Sequence, residues 1–203
     1  MKWSILVCTL PDRTKKFLSP LVLDIEKQIN KVSPDDIQLL YLGDNKSMKV
    51  GMKRNLLLEL ASIQKSEYVS FVDDDDQISG DYVKEIYAAI NKYGTDTICF
   101  NAYYSHDGQK PKLVYYSKEF LNDKNYKEKF ERLPNQLMCI KLARAKQVGF
   151  LNRSIGEDSA FARGLANFGQ TEHIIKKFLY TYMFRSDVSE TFKLLKDRKK
   201  LQE

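Results

Sequence analysis

The sequence predicts an α/β domain with a mixed, mostly parallel central sheet flanked by helices. Two observations support this fold class. Short apolar runs alternate with segments of helical periodicity up to about residue 94, which is typical of a parallel sheet sandwiched between helices. After that point, two apolar runs follow one another across the turn His106-Asp107-Gly108, which indicates an antiparallel hairpin. The length of 203 residues suits one domain with a substantial core.

Three strands are predicted in the first half of the chain. They are the apolar runs Ser4 to Thr9, Ile37 to Leu42 and Tyr68 to Val72. The first run ends at Pro11-Asp12-Arg13 and the second at Gly43-Asp44-Asn45, and both of these segments consist of turn-forming residues. Such boundaries favour short strands that are buried on both faces.

Three helices are predicted between and after these strands. The first is indicated by the four-residue spacing of Phe17, Leu21, Ile25 and Ile29. The second spans residues 50–63, where the apolar positions Met52, Leu56, Leu57 and Leu60 indicate a helix and residues 53–55 fall on other faces. The third begins at Ser79, which is a good N-cap, and ends at Gly94.

The second half of the chain contains further strands and helices. Strands are predicted at Thr97 to Tyr104, Lys112 to Tyr116, Leu137 to Ile140 and Phe178 to Phe184, and helices at 141–148 and 156–168. We therefore expect residues 1–185 to form a single domain and residues 186–203 to form a basic helix or tail.

Charge and composition restrict the chemistry and the location. Lys and Arg outnumber Asp and Glu by 33 to 27, and a basic surface around an acidic pocket suits an anionic ligand such as a phosphate, a nucleic acid or an acidic membrane. With only two histidines, catalysis must depend on carboxylates. No apolar run approaches the length of a membrane span, and the three cysteines are widely separated. We expect a cytoplasmic protein, or one attached peripherally to the inner membrane surface.

Asp73 to Asp76 follow the third predicted strand directly. Adjacent carboxylates repel one another, so this position at the end of a buried strand favours a bound cation. Asp73 and Asp75 offer the oxygen ligands that Mn²⁺ or Mg²⁺ prefers, whereas the spacing does not match an EF-hand loop. A solvated acidic turn would also explain the four aspartates.

The loops after all three strands contain carboxylates. In open α/β sheets, ligands bind outside the carboxyl ends of the strands. Asp12 and Asp44 could therefore accept hydrogen bonds from a base or a ribose, although aspartates at strand ends are also common turn formers. The motifs GxxxxGK[ST], GxGxxG, HExxH and GxSxG are absent, which argues against the usual ATPases, dehydrogenases, zinc proteases and serine hydrolases.

Four segments resemble the family 2 glycosyltransferases of the GT-A fold. They are SILVCTLPDR at 4–13, GMKRN at 51–55, EYVSFVDDDD at 67–76 and GED at 156–158. The resemblance extends over roughly Lys2 to Tyr182. It implies the GT-A fold and transfer of a sugar from a nucleotide-sugar donor.

The resemblance also implies roles for individual residues. Residues implied to hold the nucleotide base are Thr9, Pro11, Arg13 and Asp44, and those implied to approach its phosphates are Lys53 and Arg54. Asp73 is implied to contact the ribose side and Asp75 the metal, which His173 could also approach. Asp158 is implied to be the general base, with Glu157 beside it.

The expected function is therefore metal-dependent transfer of a sugar from a UDP-linked donor to an acceptor hydroxyl, with inversion by direct displacement. The absence of the Q-x-x-R-W motif disfavours processive polymer synthesis. A glycan or a lipid-linked sugar is the expected acceptor, and hydroxymethylated bases of phage DNA are an alternative, because positive charge suits a phosphate backbone. The acidic cluster would also suit a nucleotidyltransferase, or a non-catalytic module that binds divalent ions or nucleic acid.

Overall fold

The structure, a computed structural model, describes residues 1–187. Its strands are β1 Trp3–Thr9, β2 Ile37–Gly43, β3 Tyr68–Phe71, β4 Gln77–Ile78, β5 Thr97–His106, β6 Lys112–Tyr116, β7 Lys124–Asn125, β8 Lys129–Arg132, β9 Cys139–Lys141 and β10 Glu172–Phe184. Its helices are α1 Ser19–Val32, α2 Val50–Ile63, α3 Tyr82–Tyr93, α4 Leu142–Val148 and α5 Glu157–Ala166. Most of the predicted basic tail lies outside the described residues.

These strands form one mixed sheet, which confirms the predicted fold class. Strands β2, β1 and β3 are parallel neighbours, β9 runs antiparallel between β3 and β5, and β10 pairs in parallel with the other edge of β5. Helix α1 packs against α3, whereas α2 packs against α4, which contacts α5. Right-handed crossovers from β1 to β2 and back to β3 place α1 and α2 on opposite faces of the sheet. The loops after the parallel strands therefore meet at one edge.

A smaller group of strands extends the sheet beyond the end of β5. Strand β6 forms the predicted antiparallel hairpin with β5, β8 adds in parallel to β6, and β7 adds antiparallel to β8. The sequence did not predict β4, β7 or β8. Strands of two to four residues are too short to show an alternation pattern.

The bounds of three elements differ from the prediction. Strand β10 begins at Glu172 and not at Phe178, because register irregularities between Ile175 and Tyr180 interrupt its alternation. Helix α3 begins after Asp81 and not after Ser79, although Gly94 ends it in the left-handed conformation as predicted. Before α1, residues 11–18 form a 3₁₀ turn followed by a π-helical turn.

Of the four apolar positions that indicated α2, only Leu57 is buried. Met52, Leu56 and Leu60 are exposed, with Leu56 at 43%, whereas Arg54 is only 4% exposed. Leu57, Leu58 and Ala61 supply the apolar contact with the core. Hydropathy does not indicate that the cations of this helix are buried. They are tolerated in the interior because carboxylates from distant parts of the chain pair with them.

The described part of the chain contains no helix with the length and apolar character needed to cross a membrane.

Candidate active site

A cavity of about 940 Å³ opens at the carboxyl ends of β1, β3 and β5. It is lined by most of the residues that the sequence singled out. These are Thr9, Arg13, Lys53, Arg54, Asp73, Asp75, Glu157 and Asp158. The alternation of strands and helices thus brings residues from widely separated segments to one place, as expected for an open α/β sheet.

The acidic loop, Asp73 to Asp76, follows β3 and contains two pairs of carboxylates that differ in exposure. Asp74 and Asp76 are 4% and 6% exposed, whereas the side chains of Asp73 and Asp75 are 29% and 19% exposed. Asp76 accepts hydrogen bonds from the Tyr180 hydroxyl and from a backbone amide of β10, each at 2.7 Å. Asp74 and Asp76 therefore hold the loop in place, and Asp73 and Asp75 remain accessible from the cavity.

Arg13 offsets part of the charge of this loop. Its Nη2 atom lies 2.8 Å from an oxygen of Asp74 and 2.6 Å from an oxygen of Asp75. Thr9 also donates a hydrogen bond to Asp74, at 2.7 Å. Burial raises the pKa of Asp74 to about 6, although Arg13 and Thr9 favour its ionised form. The cation inferred from the four aspartates is thus supplied in part by an arginine.

A second arginine approaches the same loop from the end of β10. Arg185 donates a hydrogen bond to the backbone carbonyl of Asp75, at 2.6 Å. Its guanidinium and that of Arg13 each lie 5.4 Å from the centre of the Phe17 ring. Phe17 therefore supports both arginines next to the acidic loop.

The start of α2 packs closely against the segment that precedes α5. A Cβ atom at Gly51 would lie 2.0 Å from the carbonyl oxygen of Leu151, so only glycine allows this approach. The side chain of Asn55 accepts a hydrogen bond from the Phe150 amide and donates one to its carbonyl, both at 2.8 Å. Gly51 and Asn55 thereby set the position of the intervening cations, Lys53 and Arg54, relative to α5.

Lys53 links the ends of β1 and β2. Its Nζ atom lies 2.7 Å from a carboxylate oxygen of Asp44 and donates a hydrogen bond to the Thr9 carbonyl at 3.1 Å. Burial alone would raise the pKa of Asp44, but hydrogen bonds from Lys53 and the Met48 amide hold that pKa below its usual value. Asp44 does not line the cavity itself, and it orients Lys53, which does.

Arg54 joins the acidic loop to the start of α5. It donates to Glu157 at 2.8 Å and to Asp73 at 3.2 Å. Its guanidinium also lies over the rings of Phe71 and Phe150, at 5.7 and 5.4 Å. Burial raises the pKa of Glu157, and Arg54 opposes that increase. Glu157 is therefore a buried partner of Arg54.

Asp158 differs from its neighbour Glu157 in exposure. It is half-buried and lines the cavity, and one of its oxygens accepts a hydrogen bond from the Ser159 amide at 2.7 Å. Asp158 lies in the first turn of α5. Asp158 is therefore a partly exposed carboxylate inside the cavity.

Besides Asp44, three predicted residues do not line the cavity, namely Pro11, Asp12 and His173. His173 is at the start of β10, where its ring stacks on Tyr93 with centroids 3.6 Å apart. Ten residues of strand, or roughly 30 Å, separate it from Met183, whose amide meets the acidic loop. Pro11 is exposed and begins the 3₁₀ turn that precedes Arg13. The structure therefore does not bring His173 to the acidic loop.

Sequence reasoning missed two parts of the cavity. Cys8 lines it beside Thr9, and burial raises the pKa of its thiol to about 12, so the thiol is neutral. The far wall consists of Ala102, Tyr104, Lys112, Val114, Tyr116, Phe130 and Arg132. For β5 and β6 its signal in the sequence was the every-second-residue spacing along the two strands of the predicted hairpin, whereas β8 gave no such signal.

The residues described fit a metal ion only in part. Residues 1–187 contain no group of three or more His, Cys, Asp or Glu side chains that could hold a metal. Mg²⁺ and Mn²⁺ are often bound by one or two carboxylates together with the phosphates of a ligand, so such a group is not required. The accessible carboxylates of Asp73 and Asp75 match that smaller set of protein ligands.

The chain shares its fold with structures of TarS from S. aureus. One TarS structure has 18% identity and a TM-score of 0.62, and the match covers 92% of this chain and 37% of TarS. TarS 1-349 in complex with UDP-GlcNAc has 17% identity and a TM-score of 0.62, with 96% and 64% covered. The complex of TarS 1-349 with UDP has 18% identity and a TM-score of 0.60, with 92% and 62% covered.

The chain thus spans less than two thirds of these structures. No curated protein matches it. The family model described as "Glycosyl transferase family 2" matches residues 21–149, which is more than half of the chain. That segment includes the acidic loop, α2 and the strands of the far wall. The chain therefore belongs to glycosyl transferase family 2.

Proposed function

We propose that this chain transfers a sugar from a UDP-linked donor to an acceptor hydroxyl, with Mn²⁺ or Mg²⁺ as cofactor. The observation that carries the proposal is the convergence of the acidic loop, the cations of α2 and the carboxylate of Asp158 on one cavity. Two structures that share the fold are complexes of TarS 1-349 with UDP-GlcNAc and with UDP, which favours a uridine donor.

The donor lies at the ends of β1 and β3 in this proposal. Thr9 and Arg13 adjoin the nucleotide, Asp73 faces its ribose, and Lys53 and Arg54 contribute positive potential near its diphosphate. Asp44 acts through Lys53, with which it pairs at 2.7 Å. The 3₁₀ turn that begins at Pro11 shapes the loop that carries Arg13.

Asp75, together with Asp73, would hold the metal ion. When bound, the ion would stabilise the negative charge that develops on the departing diphosphate. Arg13 lies 2.6 Å from one carboxylate oxygen of Asp75. This arginine must move away before that oxygen can bind a metal. Its guanidinium would then be available to the phosphates.

Asp158 is the general base in this proposal. Its carboxylate takes the proton of the acceptor hydroxyl as that oxygen forms a bond to the anomeric carbon of the sugar. The bond between the anomeric carbon and the phosphate oxygen breaks, and UDP leaves with the bonding electron pair. A single displacement of this kind attacks the face opposite the leaving group and inverts the anomeric configuration.

Donor binding is tested by calorimetry with UDP, in the presence and absence of Mn²⁺. We expect Mn²⁺ to increase the UDP affinity of the wild type, and Asp75→Asn to remove this increase. Asp35→Asn is a matched control. Asp35 is exposed in the turn before β2, so it lies near the amino ends of the parallel strands, whereas the cavity lies at their carboxyl ends. UDP affinity that does not depend on Mn²⁺ in the wild type contradicts the metal site.

The general base is tested by the Asp158→Asn variant. We expect this variant to bind UDP normally, while its transfer rate decreases by roughly 10²- to 10⁴-fold. The rate is measured as UDP released in the presence of acceptor. Transfer at the wild-type rate would rule out Asp158 as the base.

A further inference from the structure

One face of strands β5, β6 and β8 forms the far wall of the cavity. Side chains alternate between the two faces of a strand, so residues two apart share a face. The residues that line the cavity follow this spacing on each strand. They are Ala102 and Tyr104 on β5, Lys112, Val114 and Tyr116 on β6, and Phe130 and Arg132 on β8. Tyr104 of this wall stacks on Tyr182, the neighbour of Met183, whose amide donates a hydrogen bond to Asp76 of the acidic loop.

Some of the cations on β6 and β8 form ion pairs with carboxylates, and others do not. Lys129, which alternates with the cavity-lining residues of β8, forms an ion pair with Glu131 at 2.8 Å. On the cavity face, Lys112 has no carboxylate within 4 Å among residues 1–187, and Arg132 approaches only the exposed Asp123, at 3.8 Å. The cavity wall therefore carries positive charge that the described part of the chain leaves largely uncompensated.

The guanidinium of Arg132 is held in place by neutral groups. It donates hydrogen bonds to the carbonyls of Lys124 and Glu131, at 3.1 and 2.9 Å, and to the side-chain oxygen of Asn125, at 2.5 Å. These bonds orient the cation without cancelling its charge. An oriented guanidinium next to a cavity suits a phosphate or a carboxylate, which it can bind through two N–H groups.

Phe130 lies between the two cations. Lys112 Nζ and Arg132 Cζ lie 5.1 and 4.8 Å from the centre of its ring, so they are at most about 10 Å apart. Tyr104 also packs against this ring in a T-shaped arrangement, with centroids 5.4 Å apart, and Tyr104 itself stacks on Tyr182. Both cations and Tyr104 already contact Phe130, so this ring is not free to stack on a nucleobase. A non-aromatic anionic ligand fits the wall better than single-stranded DNA.

We propose that this wall is the acceptor subsite and that the acceptor is a carbohydrate bearing phosphate or carboxylate groups. Lys112 and Arg132 bind an anionic group of this carbohydrate, and one of its hydroxyls reaches Asp158, which lines the same cavity. This inference rests on the proposed glycosyl transfer. None of the wall residues is assigned to the donor, so variants of the wall test the acceptor site independently of the donor site.

Acceptor binding is measured by calorimetry with UDP and Mn²⁺ present. The probes are phosphorylated maltohexaose, a galacturonate hexamer, neutral maltohexaose and a single-stranded oligonucleotide with hydroxymethylated bases. We expect the wild type to bind one or both anionic carbohydrate probes at least ten-fold more tightly than maltohexaose or the oligonucleotide. The two anionic arms show whether phosphate or carboxylate is preferred, and a preference for either supports the inference.

The matched variants are Lys112→Gln and Arg132→Gln on the cavity face and Lys129→Gln on the alternate position of β8. We expect each cavity variant to weaken binding of the anionic probe roughly ten-fold, which is the size of a lost hydrogen bond to a charged group. Lys129→Gln should bind the probe as the wild type does. The affinity for UDP should be unchanged in all three variants, and normal UDP affinity also shows that the variants are folded.

Equal binding of neutral and anionic probes, preference for the oligonucleotide, or unchanged affinity in both cavity variants overturns the inference. In each of these outcomes normal UDP binding by the wild type leaves the proposed function standing. Loss of UDP binding by the wild type contradicts the proposed function instead.

Discussion

Replacing Arg54 by methionine should destabilise the protein by about 3–5 kcal/mol at neutral pH. The buried pair with Glu157, at 2.8 Å, accounts for most of this loss, and the pair with Asp73 is longer, at 3.2 Å, and partly exposed. Methionine keeps apolar packing against the rings that Arg54 covers. The loss therefore arises mainly from leaving carboxylates in the interior without their cation.

The pH dependence of this loss follows from the two carboxylates. Burial raises the pKa of Glu157 and of Asp73 above their ordinary values of 4.5 and 3.8, and Arg54 opposes both increases. Without Arg54 both pKa values increase further, so the native state binds more protons than the unfolded state over a wider range. The unfolding free energy of the variant then decreases as pH rises above about 4. The difference from the wild type should be largest near pH 8 and smallest near pH 4.

Urea unfolding, followed by circular dichroism at several pH values, measures this difference. The control is Arg144→Met, because Arg144 pairs with Asp96 at 3.8 Å near the surface and is expected to contribute less than about 1 kcal/mol. A loss in Arg54→Met no greater than that of Arg144→Met, or one that does not change with pH, would refute the reasoning.

Three further variants test the packing and the charge of the site. Gly51→Ala should destabilise the protein by about 1–3 kcal/mol or more in thermal unfolding, since the new Cβ meets the Leu151 carbonyl at 2.0 Å, whereas Gly80→Ala, with no atom within 4 Å, should not clash. In the wild type the unfolding free energy should decrease between about pH 4 and 6, because the buried Asp74, with its pKa raised to about 6, ionises less readily than in the unfolded chain. Asp74→Asn removes this ionisation, so its unfolding free energy should decrease less over that range. An unchanged pH profile in urea titrations argues against this. Tyr180→Phe should cost about 1–3 kcal/mol in urea unfolding, since its hydroxyl donates at 2.7 Å to the fourth carboxylate of the acidic loop, and a loss below about 0.5 kcal/mol on the same scale would show that this hydrogen bond contributes little.

The elements predicted correctly are those with a clear local pattern. Strands β1 and β2 are apolar runs bounded by turn-forming residues, and Gly94 ends α3 because it can adopt a positive φ. The short strands β7 and β8 have no such pattern, and their pairing with one another and with β6 forms only in the folded chain. The extended β10 was predicted only in part because its irregularities interrupt the alternation.

The candidate site shows the same division. The position of the acidic loop after β3 was predicted from residue types and order, and the resemblance to family 2 glycosyltransferases singled out Lys53, Arg54 and Asp158. The partners of these side chains could not be predicted. Three of the four apolar positions that indicated α2, Met52, Leu56 and Leu60, are exposed, and a single helix gives no information about carboxylates contributed by other elements.

The sequence by itself determined the α/β class, the acidic loop at a strand end and the family to which the chain belongs. Only the tertiary structure decided which cation meets which carboxylate, which aspartates face the cavity and what forms its far wall. The physical reason is distance along the chain. Arg54 and Glu157 are 103 residues apart, and the Tyr180 hydroxyl and Asp76 are 104 apart. Such contacts depend on how the strands are ordered in the sheet, and local residue patterns do not contain that order.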